Sequence, residues 1–270
     1  MQNVKNIIAV ASGKGGVGKS TTTANLALAM AAEGFRVGVL DADIYGPSMG
    51  MMLGVPAEMR PEPVGEQAMR PVTAQGLEVM SIGFLIDDSQ PMVWRGPMAS
   101  GALQQLLTQT EWGDLDYLFV DMPPGTGDIQ LTLSQKVPVT GAVVVTTPQD
   151  IALLDAKKGI EMFRKVDIPV LGVVENMSVH VCSNCGHSEA IFGQGGGNEL
   201  AEKYNTPLLG QLPLKLAIRE GMDSGKPPVV ADPDGAEAAI YRATAREVNN
   251  LVQALNSQVG GMPNISIQSD

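Results

Sequence analysis

The sequence predicts an α/β fold: a mostly parallel, twisted sheet with helices on both faces. Short β-branched runs alternate with segments of helical periodicity, the pattern of strands joined by crossover helices. Several runs are continuously apolar, such as Tyr117-Leu118-Phe119-Val120, which suits strands buried on both faces. The first run stops at a glycine-rich loop that leads straight into a helical segment.

The elements follow in order. Asn6–Ala11 reads as the first strand. Residues 20–33 read as a helix, with Ala24, Ala27, Leu28 and Ala31 on one face and Gly34 as its C-terminal cap. Further strands are expected at 36–40, 116–120, 142–146, 169–174 and 207–212. Helices are expected near 151–165 and from 236 to about 255. Two stretches break the rhythm. Residues 45–73, rich in Pro, Gly and Met, read as an extended surface region. Residues 178–197, which hold both cysteines and three consecutive glycines, read as an irregular excursion. Residues 1–256 are expected to form a single domain, and the polar stretch 257–270 a disordered tail.

The chain of 270 residues carries 18 Lys and Arg against 29 Asp and Glu, a formal net charge of −11. That balance argues against a general nucleic-acid or anionic-membrane binder, since both need clustered basic residues. No window approaches the roughly 18 apolar residues of a spanning helix. With two cysteines and no secretory leader pattern, the expectation is a cytoplasmic protein without a disulfide framework.

Gly13-Lys14-Gly15-Gly16-Val17-Gly18-Lys19-Ser20 is a full match to the phosphate-loop pattern, placed between a strand and a helix as the motif requires. Glycines let backbone N–H groups close around phosphates, and the helix N-terminus adds a favourable dipole. Residues 13 to 21, ending at Thr21, are the expected nucleotide contacts. Lys19 would reach the β- and γ-phosphates of ATP, with the Ser20 hydroxyl on Mg²⁺. The early Lys14 resembles the deviant Walker A class of P-loop ATPases (the SIMIBI type that includes nitrogenase iron protein and MinD/ParA). In that class this lysine crosses a dimer interface to the partner's nucleotide and acts as an arginine finger does.

Asp121 ends a buried strand and opens Asp-Met-Pro-Pro-Gly-Thr-Gly-Asp, which looks like a Walker B carboxylate running into a switch loop with mobile Gly125 and Gly127. Asp128 fits either that loop or a cap on the next helix. In the class, the second aspartate of Asp41-Ala42-Asp43 polarises the attacking water, so Asp43 is the candidate base and Asp41 its support. Asn176 carries an amide suited to an adenine edge.

Cys182-Ser-Asn-Cys185-Gly-His187 places two thiols at a spacing that lets one loop grip one metal centre. One chain supplies too few ligands unless His187 and an outside group join, whereas a two-fold dimer gathers four cysteines. Four thiolates suit Zn²⁺ or a [4Fe–4S] cluster alike, and spacing alone also leaves a redox dithiol or idle thiols open.

Together these motifs, with Asp41-Ala-Asp-Ile-Tyr-Gly-Pro-Ser48, Val93-Trp-Arg-Gly-Pro-Met98, Thr147-Pro-Gln-Asp150 and Glu175-Asn-Met177, resemble the Mrp/ApbC family of iron–sulfur cluster carriers from about Val4 to Leu255. The resemblance implies a homodimer whose Cys182 and Cys185 bridge a [4Fe–4S] cluster and pass it to apo iron–sulfur proteins, governed by ATP binding and slow hydrolysis. Many relatives carry a small domain ahead of the ATPase. Met1 lies almost on the first strand here, so that domain is expected to be lacking or removed. Two alternatives stand beside this reading: a MinD/ParA-type positioning ATPase, and an ATPase with a purely structural interface zinc.

Overall fold

The computed structural model describes residues 3–85 and 96–260. The chain runs β1 (Val4–Ala11), α1 (Lys19–Ala32), β2 (Val37–Asp41), α2 (Met49–Met52), β3 (Glu62–Val64), β4 (Ala68–Arg70), β5 (Val72–Ala74) and β6 (Leu77–Ser81). It continues through α3 (Gly96–Gln109), β7 (Leu115–Asp121), α4 (Asp128–Lys136), β8 (Gly141–Thr146), α5 (Asp150–Lys165) and β9 (Val170–Val181). Last come β10 (Ser188–Glu189), α6 (Gly196–Tyr204), β11 (Leu208–Leu214), α7 (Leu216–Asp223), α8 (Pro228–Ala231) and α9 (Ala236–Gly260).

The main sheet has the order β10-β9-β8-β1-β7-β2-β6-β5, with β11 also beside β9. Only β5 against β6 and β10 against β9 pair antiparallel in it, so the sheet is mostly parallel as expected. Strand alternation divides the core into two layers. Ile8 and Val10 of β1 face α1, α7, α8 and α9, while Ile7, Ala9 and Ala11 face α3, α4, α5 and α6. Both layers are tightly closed: Leu26, Met30 and Phe119 on one side and Leu40, Ile160 and Phe163 on the other are inaccessible.

Apart from β9, the expected strands lie within a few residues of their predicted limits, and α1 ends as predicted, Gly34 adopting φ +94 and donating its N–H to the Ala31 carbonyl at 2.9 Å. Three expectations need correction. Residues 45–73 are not simply extended surface. They contain α2, whose Met49 is fully buried, and the small β3–β4 ribbon. The excursion from 178 to 197 is regular at both ends, because β9 runs on to Val181, pairs with β10, and α6 begins at Gly196. Strands β5 and β6 escape the pattern, since their short alternating runs carry Thr73 and Glu78 among the apolar positions. Residues 257–260 belong to α9. Residues 261–270, and the Val93–Arg95 part of the Val93–Met98 motif, lie outside the described residues, as does the Asp128 side chain.

At the edge where the parallel strands begin, Asp116 ties three of them together. It accepts from Lys5 Nζ at 2.8 Å and from the Arg36 backbone N–H at 2.9 Å, while its own carbonyl accepts from Asn6 Nδ2 at 3.0 Å. Lys5 and then Arg36 hold its carboxyl well below the usual carboxylate range. A depressed folded pKa contributes stability that is present above about pH 4 and is lost as pH falls through the folded value. Asp116→Asn should therefore lower stability in urea melts at pH 7, and the gap to the unaltered protein should narrow by pH 3.

Candidate functional site: a phosphate cradle and a cysteine turn

The carboxyl ends of the parallel strands gather one set of polar side chains, as open α/β sheets do. Residues 13–18 leave β1 and turn into α1. Gly16 and Gly18 adopt φ +83 and +82, a left-handed backbone that side chains rarely take. At Gly18 space forbids a side chain too, because a Cβ there would lie 2.1 Å from Asn176 Nδ2. The Asn176 amide reaches over from β9 and donates to the Val17 carbonyl at 2.8 Å, so the loop is gripped from a strand that β8 separates from β1.

Lys19, the first residue of α1, is almost wholly buried. Its ammonium lies 2.9 Å from Asp121 Oδ1 and 3.6 Å from Asp43 Oδ2. Asp121, fully buried at the end of β7, also accepts from the Ser20 hydroxyl at 2.6 Å and the Thr23 hydroxyl at 2.8 Å. The loop that follows is tied to the phosphate loop, Gly125 N–H donating to the Ser12 carbonyl at 3.0 Å.

Asp41 and Asp43 divide their roles. Asp41 is inaccessible and accepts from the N–H groups of Ser48 (2.9 Å), Met49 (3.1 Å) and Asp43 (3.2 Å) and from the Ser81 hydroxyl (3.1 Å). It organises the loop after β2. Burial, then the charge of Asp121, pushes its carboxyl up to about 7. Asp43 reaches the cavity itself, and burial likewise raises its pKa, against the pull of Lys19. Asp41, Asp43 and Asp121 thus surround one buried lysine. That surplus of negative charge, beside the Ser20 hydroxyl, suits a divalent cation such as Mg²⁺.

Two adjoining cavities open here. One, of about 190 Å³, is lined by Ser12, the loop glycines, Lys19, Ser20, Asp43 and Pro124. The other, of about 170 Å³, is walled by Asn176, Met177, Pro213, Leu214, Ile218 and Met222 among others. Gly18, Thr21 and Met52 line both. A chamber lined by the phosphate loop beside one with more apolar walls is an arrangement that suits the phosphates and base of a nucleotide. Lys14 stands apart: it is exposed and makes no ion pair among the described residues.

Sequence reasoning missed Thr23, Met52, Pro124 and the wall from β11 and α7. Thr23 had a signal, one turn after Ser20 on α1. The wall had none, because Pro213, Leu214, Ile218 and Met222, and the surface charges Lys215, Arg219 and Asp223 among them, form no local pattern and lie some 200 positions away in the chain.

The cysteines lie just beyond β9. Cys182 N–H donates to the His187 carbonyl and Gly186 N–H to the Cys182 carbonyl, both at 2.9 Å, closing a tight turn with Gly186 at φ +72. Cys185 is exposed and Cys182 half-buried. The backbone N–H groups of Cys185 and Asn184, directed at the Cys182 sulfur, lower its pKa. Such N–H groups stabilise thiolate, the form that binds metal. Among the described residues no group of three or more His, Cys, Asp or Glu side chains is placed to hold a metal ion by itself, so His187 does not complete a ligand set with the thiols, and the carboxylates beside Lys19 need a ligand's own oxygens to hold one.

Gly18→Ala should cost about 1–2 kcal/mol of stability from the left-handed backbone alone. By pressing on Asn176 it should also weaken nucleotide binding by about tenfold or more, measurable by calorimetric titration with ADP.

Residues 3–249 match the family described as NUBPL iron-transfer P-loop NTPase, within the ParA group. The chain is 66% identical over 245 residues to the iron–sulfur cluster carrier protein of Pseudomonas fragi, covering 91% of this chain and 85% of that one. It is 64% identical over 248 residues to the Escherichia coli K12 protein of the same description, covering 92% and 67%. Among solved structures, a nucleotide-binding protein in complex with ADP from Archaeoglobus fulgidus is 38% identical with a TM-score of 0.76, covering 89% of this chain and 93% of that one. The chain belongs to the Mrp/ApbC–NUBPL family of iron-transfer P-loop NTPases.

Proposed function

We propose that this iron–sulfur cluster carrier NTPase binds ATP with Mg²⁺, hydrolyses it slowly, works as a homodimer in the cytoplasm, and delivers a [4Fe–4S] cluster to apo iron–sulfur proteins. One observation supports this above the others: β9 bears both Asn176, which grips the phosphate loop, and the cysteine turn. Nucleotide site and cargo site share a strand.

The residues divide the work as follows. The backbone of Gly13 to Ser20 and the Lys19 ammonium hold the phosphates, and the Ser20 hydroxyl with Asp121 holds Mg²⁺. Magnesium supplies charge neutralisation on the phosphate oxygens. Asp43, with its pKa raised by burial, orients and accepts a proton from the attacking water. Asn176 lines the base chamber, and its amide, which can both donate and accept, suits adenine. Lys14, exposed beside the cradle, reaches the partner subunit's nucleotide. The cluster is the cargo: Cys182 and Cys185 from each of two subunits supply four thiolates, a donor set that an exposed turn in one chain lacks.

Anaerobic reconstitution with iron and sulfide, followed by absorption spectra and incubation with an apo-ferredoxin, tests the cargo. Cluster uptake and transfer are expected. Stoichiometric zinc with no uptake would overturn the carrier reading in favour of a structural metal. The Cys182→Ser/Cys185→Ser double variant should lose uptake yet bind ATP as before; retained uptake would move the site elsewhere. In turnover assays Lys19→Ala should abolish nucleotide binding. Lys14→Ala should bind ATP but hydrolyse it about tenfold or more slowly, as loss of an arginine-finger charge requires.

A further inference from the structure

Strand β9 changes character part-way along. From Val170 to Glu175 it is held by β8, and up to the pair Leu212↔Asn176 it is held by β11. The register with β11 then shifts, and pairing resumes only at Leu214↔His180. A step of two residues on β11 therefore spans four on β9. Met177 sits at this break with φ +57. A left-handed backbone crowds Cβ against the next carbonyl and persists only where the surroundings impose it. Here both neighbours are fastened, Asn176 to the Val17 carbonyl and Ser178, through its hydroxyl, to the Leu212 carbonyl at 3.1 Å.

The break changes where side chains point. Adjacent residues of a regular strand face opposite sides, yet Asn176 and Met177 line the same chamber. The Met177 methyl lies 4.0 Å from where a Cβ on Gly18 would stand. Beyond the break the strand becomes an arm: His180 and Val181 pair with β10, and Cys182 begins the turn. The far end of the excursion is fixed independently, because Gly197 N–H donates to the buried Glu175 carboxylate at 2.6 Å. The cysteine arm is thus strung between two held points, with its one strained residue in the base chamber.

We propose that Met177 is a positioning residue, the hinge through which a base in the chamber sets the placement of the arm carrying Cys182 and Cys185. A base entering the chamber meets the Met177 side chain. Because the Met177 backbone is the break itself, displacing that side chain turns the arm rather than the sheet. A nucleotide can shift the arm only through a contact that differs between the two arm positions, and Met177 supplies it. The inference rests on the reading of the cysteines as the cargo site.

The test uses the reduced, metal-free full chain and follows iodoacetamide alkylation of Cys182 and Cys185 by mass spectrometry, with and without saturating Mg-ADP or Mg-ATP. In the unaltered protein nucleotide should change the alkylation rates by about fivefold or more, the lower end of ordinary coupling between sites. Met177→Leu should keep that change. Met177→Ala, which removes the side chain that meets the base, and Met177→Gly, which frees the backbone, should bring the ratio to about one while binding fluorescent ADP to saturation. A full nucleotide effect in a saturated Met177→Ala or Met177→Gly variant overturns the hinge, and so does an unaltered protein whose thiols ignore nucleotide. Should Met177→Gly fail to fold, Met177→Ala against Met177→Leu decides the matter. Normal cluster uptake without a nucleotide effect on the thiols sinks the hinge and leaves the carrier reading intact. A nucleotide effect without cluster uptake does the reverse.

Discussion

The buried ion pair between Lys19 and Asp121 constrains everything around the site. An ammonium taken out of water has to be met by charge and hydrogen bonds, and here the carboxylate at the end of β7 meets it at 2.9 Å while also accepting from Ser20 and Thr23. That arrangement needs β7 directly beside β1, and the register Val10↔Asp121 provides it. It also needs α1 to start immediately after the glycine loop, which Gly18 permits through its left-handed backbone. Removing one partner would strand the other in a dry interior, so sheet order, loop conformation and helix start are held together by one contact.

Around that pair the molecule keeps more negative charge than it balances. Asp41 and Asp43 both have raised pKa values, from burial first and from Asp121 after it. Asp41 is at least well solvated by backbone N–H groups, and its work is to shape the loop after β2. Asp43 is less enclosed and lines the cradle. The same chemistry in two environments separates an organising carboxylate from one available to a ligand.

Strand β9 connects this centre to the cysteines. Its first half is an ordinary parallel strand, sealed between β8 and β11. Its second half belongs to a small antiparallel arm, where the backbone N–H groups of Cys185 and Asn184, and after them the Cys185 side chain, favour the Cys182 thiolate. Glu175 and Asn176, adjacent on the chain, hold the start of α6 and the phosphate loop respectively. The one residue of β9 with a left-handed backbone, Met177, thus lies at the join between the sheet and the arm.

Local chemistry was legible from the residues alone. The phosphate loop and its strand-to-helix context depend on a few consecutive residues whose types follow from what they must do, and the continuous apolar runs announced a parallel sheet; the reading of Asp43 and of the paired thiols needed the family resemblance as well. What the tertiary structure decided was whatever depends on distant segments meeting: the wall of the base chamber from β11 and α7, the reach of Asn176 to Val17, and the β3–β4 ribbon within a stretch whose Pro and Gly read as surface. The extra length of β9 was hidden for a related reason. Polar residues such as Ser178 and His180 continue a strand only because β10 and β11 are there to pair with them, and a partner strand is not a property of the segment itself.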